Sequence, residues 1–422
     1  MIITKGFSYM RYMLLCFFLL VSTFFPMSSA IVHANEQKLT SDLILGQSAI
    51  LIDATTGTVL FQKNSEVPMY PASITKIATG IFAIETGKLD DIVTVSKNAR
   101  YVDGTRVYLA EGEQVPMKKL IYGLLMHSGN DAAIAIAEHM AGSTEVFASE
   151  MMKYLKERVQ LDKTNFTNPH GLHETNHYTT ASDMAKIAQY AMRNPLFREI
   201  VATKRLPWDG KEWKSELVNH NKMLVNYEGA TGIKNGFTDQ ARHTLVVSAK
   251  RENSEFIAVT MSAPSSGWAY RDVTKMLDYA FANFETVKAA KSGERFTVST
   301  EGQKPAEVEY FFTDKPLFVT VHKGASIERS ISPSGHLTVR ETGASKEALS
   351  TTFPLQSKQV PQVAESRSDL FSTADGEASN ETMLYLIFGG WLALNCSMVF
   401  AFLSRKKRTT ILERRSNNRF GS

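Results

Sequence analysis

Hydrophobic and polar positions along the first 285 residues predict strands at both ends of this stretch. Ala49–Asp53 and Gly57–Phe61 are rich in β-branched residues and flank a small polar turn, which predicts a β-hairpin. Strand-like apolar runs return at Leu245–Ser248 and Glu255–Ser262. Between these two regions, from about residue 72 to 200, the apolar spacing is typical of helices.

Three apolar-rich segments within that middle region predict helices, namely Lys118–Met126, Asp131–Met140 and Asp183–Met192. A fourth helix is predicted over Arg271–Phe284 after the last strand. The third helix has three candidate N-cap residues just before or at its start: Thr179, Thr180 and Ser182. Strands at both ends with helices between them predict an α+β fold for residues 35–285, in which one antiparallel sheet is covered by helices.

The pattern changes after Glu285, where short strands follow one another at turn-like spacing. This predicts a small all-β domain over residues 286–355. Residues 356–381 are rich in Ser, Gln, Glu and Pro with few large apolar side chains, which is typical of a linker. The predicted strands of the small domain are Phe296–Val298, Ala306–Phe312, Leu317–Val321 and Leu337–Val339.

The two ends of the chain predict export and membrane attachment. Residues 1–34 have a short apolar run after two basic residues and end in Val-His-Ala, which predicts a cleaved signal peptide. Met383–Leu403 is a run of 21 residues without charge, so a transmembrane helix is predicted over residues 382–403. The basic residues in 404–422 predict a cytoplasmic tail, with the body of the protein on the outer side of a single-pass membrane protein.

The net charge and the positions of the cysteines argue against a nucleic-acid-binding protein and against a protein held by disulfides or thiolate metal sites. The formal net charge is +4, but the tail contributes +6 and the signal peptide +2, so the rest of the chain is near −4. We therefore expect no nucleic-acid partner. Both cysteines, Cys16 and Cys396, lie in the end segments, so no disulfide or thiolate metal site is expected. His170, His173 and His177 cluster around a Pro-Gly sequence and are interpreted as ordinary loop histidines rather than metal ligands.

The sequence Ser73-Ile74-Thr75-Lys76 holds the first candidate catalytic pair. On a helix, residues three apart share a face, so the amine of Lys76 can reach the hydroxyl of Ser73. A serine needs an adjacent base to act as a nucleophile, and a lysine whose pKa is lowered can supply one. Alone, the pair is more typical of a helix-capping serine beside a solvated lysine.

Two further motifs follow in order. Ser128-Gly129-Asn130 lies between two predicted helices and offers a hydroxyl and an amide, although a plain helix-helix turn has the same pattern. Lys234-Asn235-Gly236 precedes the strand at Leu245, and its glycine permits the close approach of a substrate backbone as an added strand. The alternative for this last motif is an Asn-Gly hairpin turn.

Together the three motifs resemble those of the penicillin-recognising serine acyl enzymes. The flanking sequences 167–172, 176–181, 219–224 and 276–281 are similar to those of the D-alanyl-D-alanine carboxypeptidases, the low-molecular-mass penicillin-binding proteins of bacterial walls. The resemblance runs from about residue 45 to 355. It implies a β-lactamase/transpeptidase-like fold, attachment to the bacterial cell membrane, and penicillin binding, with no cofactor and no metal.

The resemblance also implies catalytic roles. Ser73 would attack the carbonyl between the two terminal D-alanines of a peptidoglycan stem peptide, with Lys76 as its base. Ser128 would pass the proton to the departing D-alanine. The backbone N–H groups of Ser73 and Phe237 would form the oxyanion hole.

The same resemblance implies which residues bind the substrate. Asn130 would hold the substrate amide, and Lys234 would attract the terminal carboxylate. Asn235 and Gly236 would lie along the bound peptide. Asn235 departs from the Thr or Ser that is usual in the family, so recognition of the carboxylate is expected to differ here. Peptides ending in D-Ala-D-Ala and β-lactam antibiotics are the expected ligands.

Two alternative functions remain open from the sequence. A class A β-lactamase shares the motifs but needs a Glu-x-x-Leu-Asn loop, and Asn168–Gly171 stands where that loop is expected. A weakly active or non-catalytic penicillin-binding sensor would keep the fold, and Asn235 is compatible with it. The family also tends to have an arginine at the position of Ala269, and Arg271 is the nearest candidate to replace it.

Overall fold

The computed structural model describes residues 38–298, 310–343 and 348–358 of the 422-residue chain. Its α-helices, numbered in chain order, are α1 (Lys76–Thr86), α2 (Lys97–Arg100), α3 (Met117–Met126), α4 (Asn130–Ala141), α5 (Thr144–Val159), α6 (Ala181–Ala191), α7 (Pro195–Ala202), α8 (Met223–Asn226) and α9 (Ser266–Asn283). Its strands are β1 (Ser48–Asp53), β2 (Val59–Lys63), β3 (Ile92–Thr94), β4 (Gln114–Pro116), β5 (Arg205–Asp209), β6 (Lys214–Val218), β7 (Ala230–Thr238), β8 (Arg242–Arg251), β9 (Ser254–Ala263), β10 (Phe284–Ala290), β11 (Arg295–Thr297), β12 (Tyr310–Phe312), β13 (Leu317–His322), β14 (Ser326–Ile331), β15 (His336–Thr342), β16 (Ser350–Pro354) and β17 (Gln356–Lys358). Short 3₁₀ helices span Ser41–Leu43 and Ala72–Thr75.

The central sheet has the strand order β2-β1-β9-β8-β7, and each neighbouring pair is antiparallel. Strands β1 and β9 are buried along their whole length because helices cover both faces. Successive residues of β9 point to opposite cores, so Ile257 and Val259 join the larger cluster while Phe256 and Ala258 join the smaller one. The predicted α+β architecture is confirmed, and β7 lies at an edge of the sheet.

Helices α1 and α3–α7 supply most of the larger core, whereas the smaller core consists mainly of sheet residues and one face of α9. The four helices predicted from the pattern are present, and α9 begins at Ser266, five residues before its predicted start. Its extra turn is capped by Ser265, whose hydroxyl accepts a hydrogen bond from Trp268 N. Among the three candidate caps of α6, Thr180 takes this role because its hydroxyl accepts from Asp183 N at 3.0 Å.

Two small hairpins interrupt the helical region and were not predicted. Strands β3 and β4 pair through three residues each, and β5 pairs with β6. Each of these strands buries a single residue, so they lack the long β-branched runs that identify β8 and β9. Trp208 in β5 is only 2% exposed and packs into the larger core, which anchors the second hairpin there.

The β region that follows α9 consists of three small antiparallel sheets with the orders β10-β13, β11-β12-β17 and β14-β15-β16. Their shared apolar cluster includes Val319, Val321, Leu337 and Val339. Strand β17 pairs with β12 and occupies the first three residues of the stretch that was predicted to be a linker. All described residues belong to one unit that ends at Val360.

Several predicted segments lie outside the described residues: the signal peptide at 1–34, most of the linker at 356–381, the transmembrane helix at 382–403 and the tail at 404–422. Residues 306–309 of the predicted strand 306–312 also lie outside the described residues. Within the described ranges, no helix is both long and apolar enough to cross a membrane.

Candidate active site

Ser73 and Lys76 meet where the 3₁₀ helix passes into α1. Ser73 is half-buried, and Lys76 is fully buried as the first residue of the helix. Lys76 Nζ lies 3.0 Å from Ser73 Oγ, 2.7 Å from Asn130 Oδ1 and 2.7 Å from the carbonyl oxygen of His170. The sequence motifs at residues 73–76 and 128–130 are therefore brought together as predicted.

Burial lowers the pKa of Lys76 well below its usual range, and the positive charge of Lys234 lowers it further, while the Asp131 carboxylate opposes the shift. A neutral amine has two N–H donors and one lone pair. Since Asn130 Oδ1 and the His170 carbonyl oxygen can only accept, they use both donors. In that neutral form the lone pair is left for Ser73 Oγ, which is the arrangement a general base needs, whereas a protonated amine would donate to all three oxygens.

Ser128 lies in the loop between α3 and α4, only 5% exposed, with a left-handed backbone (φ of +65°). Such a conformation is strained for a serine, and strained residues cluster at functional sites. Asn130 begins α4, and its Nδ2 donates to the carbonyl oxygen of Asp103 at 2.7 Å. Because Asn130 also accepts from Lys76, this segment is part of the Ser73 site rather than a plain helix-helix turn.

The third motif lies inside β7, so the alternative of an Asn-Gly turn is wrong. Lys234 is 1% exposed, and burial lowers its pKa to about 7. Its Nζ donates to the carbonyl oxygen of Asn235 at 2.9 Å. A side chain at Gly236 would place its Cβ 2.7 Å from Ser73 N, so only glycine allows β7 to approach the nucleophile this closely.

Phe237 follows Gly236 on β7, and its ring stacks on His243 with centroids 4.5 Å apart. The approach of β7 to Ser73 N supports the predicted oxyanion hole, which remains a prediction. Asn235 Oδ1 is buried without a hydrogen-bond partner among the described residues.

The structure does not favour Arg271 as a substitute for the missing arginine. Ala269 and Arg271 both lie on α9, and positions two apart on a helix point in different directions. Ala269 is buried, while Arg271 is exposed and stacks on the Trp268 ring, 4.3 Å from its centroid.

The sequence did not indicate the hydrogen-bonded residues that hold the backbone next to the nucleophile. Thr167 N donates to His177 Nδ1 at 3.0 Å, and His177 Nε2 lies 2.9 Å from Thr75 Oγ1. Thr75 Oγ1 in turn donates to the carbonyl oxygen of Ala72 at 2.9 Å. Ala72 precedes Ser73 and has a strained φ of +51°, so this chain of hydrogen bonds holds the backbone that carries the nucleophile.

The loop at 168–171 contacts the same backbone. A side chain at Gly171 would place its Cβ 1.9 Å from the Ala72 carbonyl oxygen, and its φ is +86°, so both space and conformation require glycine. His170 and His177 thus lie beside the nucleophile, His170 through its backbone carbonyl and His177 through its ring. In the described part of the chain, no group of three or more His, Cys, Asp or Glu residues could hold a metal ion.

A half-buried serine beside a fully buried lysine, a second serine in a strained loop and a close edge strand are the arrangement expected of a serine acyl-transfer enzyme. Residues 34–265 match the model of the family described as D-alanyl-D-alanine carboxypeptidase. The chain is 36% identical over 318 residues to the D-alanyl-D-alanine carboxypeptidase DacF of Bacillus subtilis, covering 72% of this chain and 79% of that protein. It is 32% identical over 330 residues to the carboxypeptidase DacA of Haemophilus influenzae, covering 73% and 80%. The chain therefore belongs to the D-alanyl-D-alanine carboxypeptidase family.

Solved structures agree with this assignment. Penicillin binding protein 5 from Haemophilus influenzae is similar with a TM-score of 0.65 and 27% identity, covering 75% of this chain and 99% of that one. The carboxypeptidase DacD from Francisella tularensis gives a TM-score of 0.63 and 25% identity, covering 79% and 99%. The predicted family and the predicted serine-type carboxypeptidase class are confirmed, and the β-lactamase and sensor alternatives are not favoured.

Proposed function

We propose that this protein removes the terminal D-alanine from peptidoglycan stem peptides through an acyl-enzyme on Ser73, and that β-lactams acylate the same residue. The observation that carries the proposal is the set of three contacts of Lys76 Nζ, because two obligate acceptors leave its lone pair for Ser73 Oγ. Membership of the family supports the choice of substrate.

In the proposed reaction, neutral Lys76 takes the proton of Ser73 Oγ as that oxygen bonds to the carbonyl carbon between the two D-alanines. The carbonyl oxygen becomes negatively charged and is stabilised by the N–H groups of Ser73 and Phe237. The proton passes through Ser128 to the nitrogen of the departing D-alanine as the peptide bond breaks. Water then attacks the ester, with Lys76 as the base, and releases the shortened peptide.

Substrate binding is assigned to Asn130, Lys234, Asn235 and Gly236. The edge position of β7 suits a peptide that adds to it as a strand. Lys234 is charged below its pKa of about 7 and attracts the terminal carboxylate from within the site. Gly236 lets β7 come close to Ser73, so that the N–H groups of Ser73 and Phe237 lie near one another for the reacting carbonyl oxygen.

We further propose that the protein is anchored in the bacterial cell membrane by a helix at 382–403, with the catalytic region outside and the C-terminus in the cytoplasm. A chain that ends at residue 378 should then be exported and recovered in the soluble fraction with activity. Continued sedimentation of that shortened chain with membranes would contradict the anchor.

The proposed activity is tested with the full chain in detergent and a pentapeptide ending in D-Ala-D-Ala. We expect release of free D-alanine, no release from the matched peptide ending in D-Ala-L-Ala, and loss of both D-alanine release and penicillin labelling in Ser73→Ala. Penicillin labelling without any release of D-alanine would instead support the sensor alternative.

A further inference from the structure

A pocket of about 440 Å³ lies between the segment that precedes Ser73, the loop that precedes α6 and the turn that joins β7 to β8. We call it the turn pocket. None of its lining residues has a role in the acyl-transfer steps or in the substrate contacts proposed above. The lining includes six side chains that carry a hydroxyl or a carboxamide group: Gln47, Tyr70, Thr175, Tyr178, Gln240 and Ser262.

The turn pocket is adjacent to the nucleophile through two continuous stretches of backbone. Tyr70 lines the pocket and stands three residues before Ser73, so their Cα atoms are no more than about 11 Å apart. Gln240 lines it from the other stretch, two residues after the end of β7. Thr244 Oγ1 on β8 donates to the carbonyl oxygen of Pro71 at 2.9 Å and so holds the two stretches together.

The walls of the turn pocket are fixed by contacts within the protein. Met69 and Thr179 exchange two backbone hydrogen bonds of 2.7 and 2.9 Å, which hold the segment before the nucleophile against the loop before α6. The ring of Tyr70 packs edge-on against that of His173, with centroids 4.6 Å apart. Ser262 is buried at the end of β9 and has a strained φ of +55°. A ligand therefore meets a preformed surface and does not have to order it.

The polar groups of the turn pocket are available to a ligand. None of the six side chains has a hydrogen-bond partner among the residues that the structure describes. Hydroxyl and carboxamide groups both donate and accept, and the lining has no charged side chain. A charged group that left water for this surface would meet no opposite charge, whereas an uncharged polar group would keep its hydrogen bonds. The lining therefore favours an uncharged polar ligand group.

The proposed binding mode fixes the direction in which the peptide runs along β7. Its terminal carboxylate is attracted by Lys234, and the carbonyl oxygen that reacts lies at the N–H of Phe237, three residues further along the strand. The peptide residue before the two D-alanines therefore passes Thr238 and approaches the turn that carries Gln240. Its Cα atom is only one step, about 3.8 Å, from that of the D-alanine that is acylated, so a long side chain can extend into the turn pocket.

We propose that the turn pocket binds the side chain of the stem-peptide residue that precedes the two D-alanines, and that it selects a long side chain with an uncharged, hydrogen-bonding end. The inference rests on the proposed function, because that function supplies both the peptide and its direction along β7. The pocket contributes to the choice of peptide without contacting the bond that breaks.

The test compares four peptides that differ only in the residue before D-Ala-D-Ala: alanine, norleucine, lysine or Nε-acetyl-lysine. With the full chain in detergent, kcat/KM for the acetyl-lysine peptide should exceed those of the alanine and norleucine peptides about fivefold or more, the range for one or two uncharged hydrogen bonds. The lysine peptide should fall below the acetyl-lysine peptide by about threefold or more. Equal values for alanine and acetyl-lysine would overturn the subsite. Norleucine or lysine matching acetyl-lysine would overturn its proposed selectivity.

A double variant locates the preference in the turn pocket. Gln240→Ala with Tyr178→Phe removes a carboxamide and a hydroxyl, so the advantage of acetyl-lysine over norleucine should fall below about twofold while kcat/KM for the alanine peptide stays within about twofold of the parent value. Gln114→Ala with Tyr310→Phe, on β4 and β12, is the matched control and should keep the parent preference.

Two outcomes of the double variant would contradict the subsite: an unchanged preference for acetyl-lysine, or an equal loss of kcat/KM for all four peptides. A parent enzyme that releases no D-alanine from any of the four peptides would overturn the proposed function instead.

Discussion

Among single residues, the proposed reaction depends on two buried lysines, Lys76 and Lys234, that must be in different protonation states. Lys76 must be neutral to accept a proton from Ser73, and its burial favours that form. Lys234 must be charged to attract a carboxylate, and its pKa of about 7 keeps it charged only below that pH. The account therefore requires acid peptides to be turned over less efficiently as the pH rises through this value.

Lys234→Arg tests that requirement, because arginine remains protonated at all accessible pH values. In the parent enzyme, we expect kcat/KM for a D-Ala-D-Ala peptide to decline above about pH 7. In Lys234→Arg the maximum should be lower, because the longer side chain fits less well, but the decline should move to higher pH. The measurement is a pH profile of kcat/KM, with Lys222→Arg at an exposed position as the control. If kcat/KM declined at the same alkaline pH in Lys234→Arg and in the parent enzyme, the decline would belong to a group other than Lys234.

The candidate residues of the active site were predictable because they occur in short sequence motifs. Ser73, Lys76, Ser128, Asn130 and Lys234 stand in the expected order, and the structure brings them together. Asp131, His177 and Thr75 were not predictable in this way. Their contribution depends on contacts between distant segments, and a single buried histidine or threonine carries no pattern that distinguishes it from an ordinary loop residue.

At the scale of elements, the loop at 164–180 supports the start of α1. It supplies the carbonyl of His170 to Lys76 and the ring of His177 to Thr75. Because burial lowers the pKa of His177 to about 4, the ring is neutral near pH 7. This is the form in which Nδ1 accepts from Thr167 N and Nε2 donates to Thr75 Oγ1.

His177→Ala should therefore slow the reaction of Ser73 without touching the substrate. The change leaves Thr167 N without a partner, which costs about 1–3 kcal/mol for a buried group, and removes the N–H that Thr75 Oγ1 accepts while its bond to the Ala72 carbonyl remains. We expect a lower melting temperature and roughly tenfold slower acylation by a fluorescent penicillin. His173→Ala, at an exposed ring of the same loop, should retain both values. Acylation at the parent rate despite a lower melting temperature would show that the loop acts on stability alone.

Element prediction was most successful where the pattern was long. The apolar runs of β8 and β9 and the helices α3, α4 and α6 were found because many successive positions agree on one period. The hairpins β3–β4 and β5–β6 were missed because each strand buries a single side chain, and tertiary packing of residues such as Trp208 decides their conformation. β7 was recognised only as a motif, since two glycines and a lysine weaken its strand pattern.

At the scale of the whole molecule, Asp53 joins the central sheet to the β region that follows α9. This carboxylate at the end of β1 is fully buried, and its Oδ2 accepts from Thr286 Oγ1 at 2.6 Å and Thr320 Oγ1 at 2.9 Å. Its Oδ1 accepts from Thr55 N and Thr56 N. The carboxylate thus accepts hydrogen bonds from β10, from β13 and from the turn between β1 and β2.

Asp53→Ala should destabilise the protein because it leaves these buried donors unpaired. We expect a loss of about 3 kcal/mol or more in the free energy of unfolding, because each buried donor left unpaired costs about 1–3 kcal/mol. Urea unfolding of the full chain in detergent measures it, with Asp90→Ala at an exposed position as the control. A free energy of unfolding within about 0.5 kcal/mol of the parent value, the range of an ordinary surface substitution, would contradict this role for Asp53.

The central claim is that Ser73 is the nucleophile and that Lys76 activates it. The most direct measurement is peptide mapping by mass spectrometry after brief reaction of the full chain with penicillin. We expect one penicilloyl adduct, located on Ser73, which is absent in Ser73→Ala and forms at least a hundredfold more slowly in Lys76→Ala, as loss of a general base requires. An adduct on Ser128, or parent-like acylation of Lys76→Ala, would contradict it.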